Sequence, residues 1–337
     1  MGENMHQQPN HFQIVQALLS LALVPLLACG TTKSADSATT ADAALTGADA
    51  ADATNADATA DVAADISTTP APADPKAYDG ECPDFSVGGT IIIQSGGFKR
   101  TLHVSVPDDQ SVDSPLVFLW HGLGDNGTNF ASASAFDAKG IAKDRGAFVV
   151  TPDDCSVKGL KCQQTFGWDF LTADGGADAQ LFDDVLACIT QSVKIDRRRV
   201  YSSGFSAGGL WTTWLLVNRS QYLASVAIFS GGIDPNMATY VAPSWHIPVI
   251  GFYGSMEGDV VIVHFHELMQ NLITDLRKDS FFVVDCDHES NGHTIPAGGV
   301  DTGMEFLFNH KYGDAKSSYE IDGKLPSDFP DYCKIAP

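Results

Sequence analysis

The apolar residues of this chain fall into short unbroken runs rather than alternating ones. Pro115-Leu116-Val117-Phe118-Leu119-Trp120 contains no polar side chain, the pattern of a central strand buried on both faces. Similar runs lie at Ala147–Thr151, Ala224–Phe229, Ile247–Tyr253 and Phe281–Val284, and Arg199-Val200-Tyr201 reads as another strand. Ile91–Ile93 and Leu102–Val106 flank Ser95-Gly96-Gly97, which predicts an opening hairpin. Between the runs, Asp178–Val193 places Leu181, Val185, Cys188 and Ile189 on one helical face. Leu210–Val217 is apolar enough for a core helix. Phe265, Leu268, Met269, Leu272, Ile273 and Leu276 form a third face of period 3.6. Strands alternating with helices predict an α/β domain: a mostly parallel central sheet with helices on both faces, and no insertion long enough for a large lid domain. In such sheets ligands gather at the carboxyl ends of the strands.

The first quarter of the chain has a different character. An apolar run from Ile14 to Ala28 ends in Leu26-Leu27-Ala28-Cys29-Gly30. It is short for a membrane span and resembles a bacterial lipoprotein signal, with cleavage before Cys29 and lipid on its thiol. Met1–Phe12 carries no Lys or Arg, unlike the usual signal, and an ordinary secretory signal with another cleavage site is the alternative. Thr31–Pro75 is almost wholly Ala, Asp, Thr, Ser and Pro, with eight Asp and one Lys, so it has nothing with which to offset the entropy of ordering. The expected organisation is a signal over 1–29, a disordered tether over 30–75 and a folded domain over 76–337. That predicts a bacterial cell-envelope protein, lipid-anchored or secreted.

Charge and cysteines narrow the classes. A formal net charge of −22 argues against nucleic acid and against electrostatic binding to an anionic membrane, leaving an N-terminal lipid as the membrane contact. Of seven cysteines, six remain once Cys29 is set aside, which allows up to three disulfides in fifteen connectivities. Cys155 and Cys162 share one polar loop and suit a local bridge, while Cys82 and Cys333 suit a staple between the domain's ends. Free buried thiols are the alternative for Cys188 and Cys286. No Cys/His spacing suggests zinc.

The chemistry centres on Gly204-Phe205-Ser206-Ala207-Gly208, between a strand and a helix. Gly-x-Ser-x-Gly in that context is a nucleophile elbow: the turn is too tight for a Cβ beside the serine, and the N–H of Ala207 is available to an oxyanion. A serine hydroxyl needs a base, and the base an orienting acid, following Ser206 in the order acid, then His. His293, in Asn291-Gly292-His293-Thr294, is the expected base, with His288 its local competitor. His264 and His266, two apart at a helix start, face different sides, and His310 is expected at the surface. The acid should follow Phe252-Tyr253-Gly254: Asp259 is favoured, because Val260-Val261 can pack its loop, and Glu257 is the alternative. The second oxyanion donor is expected from His121-Gly122-Leu123-Gly124, at the N–H of Leu123 and then of Gly122. Trp120 and Trp168 are candidates to line a substrate pocket, whereas Trp211 and Trp214 read as core.

The segments LVFLWHGLGDNG, DRRRVYSSGFSAGG, YGSMEGDVV and NGHTIP resemble the α/β-hydrolase esterases of the polyhydroxybutyrate depolymerase and feruloyl esterase group, over most of residues 80–313. The resemblance implies the α/β-hydrolase fold, a nucleophile at Ser206, a histidine at His293 and an acid at Asp259. It also implies hydrolysis of small or polymeric esters, without metal or organic cofactor. Within that class the expected substrate is a hydroxyalkanoate ester, with a feruloylated or acetylated polysaccharide as the alternative. A lipid-anchored binding protein with an inactive hydrolase domain is the reading from another class.

Overall fold

The structure, a computed structural model, describes residues 69–155, 166–235, 240–290 and 292–337. The expected signal, Cys29 and most of the Ala/Asp-rich stretch lie outside the described residues, as do Cys162 and Asn291.

Among the described residues nine strands form a single sheet: β1 (Gly89–Ser95), β2 (Phe98–Ser105), β3 (Ser114–Trp120), β4 (Phe148–Pro152), β5 (Ile195–Phe205), β6 (Ser225–Phe229), β7 (Val249–Tyr253), β8 (Val283–Asp287) and β9 (Cys333–Ile335). Their order is β1-β2-β4-β3-β5-β6-β7-β8-β9. From β4 through β8 every neighbour is parallel, while β1, β2 and β9 run antiparallel at the edges. The helices are α1 (Gly127–Phe130), α2 (Ala138–Arg145), α3 (Gly176–Ser192), α4 (Ala207–Arg219), α5 (Phe265–Lys278), α6 (Gly299–Phe308) and α7 (Ser318–Asp322).

The unbroken apolar runs have the cause the sequence suggested. Every residue of β3, β4, β6 and β7 is buried, because both faces of the sheet are covered. Strand periodicity sends Leu116, Phe118 and Trp120 into the layer under α3, α4 and α5. Val117 and Leu119 enter the opposite layer with α2 and α6. All six residues of the predicted α5 face are buried.

Three expectations change. Cys82 pairs with Cys188 and Cys286 with Cys333, so neither the Cys82–Cys333 staple nor free thiols at 188 and 286 occur. The bridges instead tie the segment before β1 to α3, and β8 to β9; Cys155 is also disulfide-bonded. His310 is buried rather than superficial. Its Nδ1–H donates to the Phe306 carbonyl at 2.7 Å and its Nε2 accepts from the Ser317 hydroxyl at 2.7 Å, so both nitrogens are satisfied internally. Finally, contacts with the domain begin within the stretch whose composition suggested a tether: the Ala73 N–H donates to the Gln221 carbonyl at 3.0 Å.

Candidate active site

Ser206 sits where β5 ends and α4 begins, with φ 59° and ψ −121°. This is a strained backbone for a residue with a side chain, and functional turns are where such strain is held. Its N–H donates to the Phe229 carbonyl and its carbonyl accepts from the Leu210 N–H, both at 2.9 Å. The flanking glycines are dictated by contact. A Cβ on Gly204 would lie 2.3 Å from the Gly208 carbonyl oxygen, and one on Gly208 would lie 1.9 Å from that of Trp120. Strand, turn and helix are pressed together too closely for any other residue.

His293 comes from the loop after β8. Its Nδ1–H donates to Asp259 Oδ1 at 2.7 Å. The imidazole lies between two phenyl rings, Phe205 at 4.5 Å and Phe265 at 4.6 Å between centroids. One ring immediately precedes Ser206 and the other opens α5. His293 Nε2 is buried and has no hydrogen-bond partner among the described residues. An unpaired buried nitrogen costs about 1–3 kcal/mol, so a hydrogen-bond donor brought to it is favoured.

Asp259, not Glu257, meets the histidine: Asp259 is fully buried, whereas Glu257 is exposed. The second oxygen of Asp259 accepts from the Ser230 hydroxyl and the Gly254 N–H, both at 2.9 Å. Gly254 is required here, since a Cβ would lie 2.9 Å from the Ser290 carbonyl oxygen and 3.1 Å from Asp259 Cβ. The expected packing role of Val261 is not met, as it is 57% exposed. The acid is fixed instead by its backbone: the Phe265 N–H donates to the Asp259 carbonyl at 3.0 Å, and Val260 bridges to His264. Residues 260–264 thereby form a short excursion closed at its stem. Ser230, which no motif signalled, follows β6 with φ 44°. His288 does not compete for the acid: its Nδ1 pairs with the Ser290 hydroxyl at 2.7 Å, and burial lowers its pKa.

The loop after β3 lies over Ser206, with the position of a Gly122 Cβ 3.3 Å from Ser206 Cβ. Leu123 and Ala207 line, with Ser206, a cavity of about 50 Å3. Trp120 and Trp168 do not line it. They are 0% and 2% exposed and pack edge-to-face at 5.1 Å, because each indole N–H has an internal acceptor. Trp120 donates to the Ser202 hydroxyl at 3.0 Å and Trp168 to the His121 carbonyl at 2.9 Å. His121, also fully buried, donates from Nδ1 to the Gly122 carbonyl at 2.9 Å and accepts the Asp154 N–H at Nε2 at 3.1 Å. Trp168 therefore holds the loop from below. The cavity walls are Phe166, Phe170, Leu210 and the 261–263 tip.

A mostly parallel sheet, a strained serine at a strand–helix elbow and a histidine–carboxylate pair whose imidazole stacks on Phe205 have the arrangement of the α/β-hydrolase fold. Residues 103–242 match the family described as Esterase PHB depolymerase. Feruloyl esterase D of Neurospora crassa is 28% identical over 172 residues, 48% of this chain and 55% of the relative. A bifunctional acetylxylan esterase/xylanase of Neocallimastix patriciarum is 28% identical over 159 residues, 47% of this chain and 22% of the relative. The chain thus spans about half or less of the length of these relatives. Among solved structures, native pOPH aligns with a TM-score of 0.62 at 18% identity, covering 78% of this chain and 98% of its own, which is a likeness of fold. Through its central segment the chain is similar in sequence to esterases of the polyhydroxybutyrate depolymerase and feruloyl esterase group.

Proposed function

We propose that the protein is an exported serine esterase that cleaves carboxylic esters through an acyl-enzyme. The observation that carries this is the 2.7 Å bond from His293 to a buried Asp259, with Nε2 unpaired beside the ring that precedes Ser206. In the reaction, Ser206 Oγ bonds to the ester carbonyl carbon as its proton passes to His293 Nε2. Asp259 holds the tautomer and favours the imidazolium. The N–H groups of Leu123 and Ala207 receive the oxyanion. The C–O bond breaks and the alcohol leaves with the proton from His293. Water then adds to the acyl carbon, gives its proton to His293, and the acid departs as Ser206 recovers its hydrogen.

The substrate class we favour is a hydroxyalkanoate ester; a feruloylated or acetylated polysaccharide is the alternative, supported by the names of the two fungal relatives. Export is supported by the disulfides, which persist in oxidising compartments, and lipid attachment at Cys29 is part of the proposal. A fluorophosphonate probe should label Ser206, and Ser206→Ala should abolish both labelling and p-nitrophenyl acetate hydrolysis. A folded protein with neither property would be a binding module instead. Incorporation of radiolabelled palmitate, lost in Cys29→Ala, tests the anchor.

A further inference from the structure

Beside the cavity at Ser206 lies a second, of about 400 Å3, against about 50 Å3 for the first. The smaller has room for a few water-sized groups, whereas the larger is in the range that holds an organic ligand. The two share three walls: Phe170, Leu210 and Val263. Leu210 stands one helical turn past the nucleophile, and helical side chains lean back toward the N-terminus, so it overhangs the first turn of α4 beside Ser206.

Beyond this ridge the floor is largely apolar, and Asp234, the one charged residue in its lining, is itself engaged within the protein. The floor is formed by Trp214 and Val217 of α4, Leu268 of α5 and Ile233, with Leu171 and Val241 on its more exposed margin. Polar groups in the floor are spent on the protein itself. The Trp214 indole donates to the Thr172 carbonyl at 3.1 Å, the Thr213 hydroxyl to the Gly209 carbonyl at 3.0 Å, and the Asn218 amide to the Trp214 carbonyl at 2.9 Å. A pocket of this kind, sharing walls with the cavity at Ser206, rewards an apolar occupant that runs on from the scissile ester.

We propose that this chamber seats a long apolar arm of the ester, and that Leu210 is a specificity-determining residue, the ridge such an arm must cross. The proposal rests on the esterase reading for its turnover but not for its binding. Each methylene buried in the chamber should raise kcat/KM about fourfold.

The test uses the full chain with Leu210→Ala, which lowers the ridge, and Val217→Trp, which fills the chamber from the wall away from Ser206. Two series separate the arms of the ester: p-nitrophenyl octanoate against acetate for the acyl side, octyl against ethyl acetate for the alcohol side. The long-to-short ratio of kcat/KM should fall at least about tenfold in Val217→Trp and rise several-fold in Leu210→Ala. Movement in one series says which arm is seated; ratios within about twofold of the unsubstituted protein in both overturn the proposal. Octanoate and octanol are also titrated into Ser206→Ala by calorimetry, with and without Val217→Trp, and melting curves confirm that each variant is folded. Binding that Val217→Trp removes supports the chamber even if fluorophosphonate labelling fails and the esterase reading falls with it. No binding of either probe, where neither ratio moves or no turnover exists, refutes the chamber.

Discussion

Replacing Asp259 by Asn keeps the volume of a fully buried side chain and changes only its hydrogen-bonding capacity. The carboxylate accepts three bonds: Ser230 and Gly254 on one oxygen, His293 on the other. An amide has a single oxygen. Two fixed donors claim it, so the NH2 turns toward His293 Nδ1, where it can only donate. The imidazole must then carry its proton on Nε2, the atom meant to receive the proton of Ser206. The wrong tautomer in a serine triad costs about 10^4 in kcat, which at 1.36 kcal/mol per decade is about 5 kcal/mol of transition-state stabilisation. Steady-state hydrolysis of p-nitrophenyl acetate should show that loss in kcat with KM little changed, and a melting curve should show a folded protein. Glu257→Gln, at an exposed position that does not meet His293, should retain kcat within about twofold. An Asp259→Asn variant within tenfold of the parent, or a large loss in Glu257→Gln, would refute the assignment of the acid.

Three further outcomes follow from the packing. Ser230→Ala removes one donor from Asp259 while the Gly254 N–H remains, so kcat should fall about tenfold and stability by about 1–2 kcal/mol; kinetics and chemical denaturation read the two effects. Burial pushes the pKa of His310 down to about 4 from 6.5, so the unfolded chain binds the proton first. The stability this gives is complete above about pH 6.5 and is lost as pH falls toward 4, by about 3 kcal/mol in all. Melting temperatures between those pH values should fall more steeply for the parent than for His310→Gln. That comparison isolates His310 from Asp178, whose pKa burial raises against the pull of Arg100 at 2.7 Å and which slopes the opposite way. Cys333→Ser opens a bridge spanning 47 residues and should cost about 4 kcal/mol, seen as a lower denaturation midpoint that matches that of the parent reduced at this bridge.

The central strands, α3, α4 and α5 were legible because burial on both sheet faces and amphipathic helix faces leave periodic signatures. The elbow was legible because close backbone contacts at Gly204 and Gly208 admit no side chain. What escaped the sequence is set by distant partners. β9 is three residues long and is held by a cystine and by the Ala336 N–H bond to Val283, neither visible as a local pattern. His310 resembles a surface histidine until Phe306 and Ser317 close on it. The sequence makes Trp168 a candidate for a pocket wall, but its N–H finds a backbone acceptor below the loop. Ser230 lies outside every motif, and only the strand order brings the end of β6 against the acid.

The excursion of residues 260–264 separates two tasks that many enzymes entangle. Asp259 is fastened before it begins and Phe265 after it ends, with the 3.0 Å bond between them as a clasp. The tip can therefore be recut or lengthened as an exchangeable cassette while the His293–Asp259 pair stays in register. Laboratory diversification confined to Val261, Ile262 and Val263 thus samples new appetites on an unaltered engine.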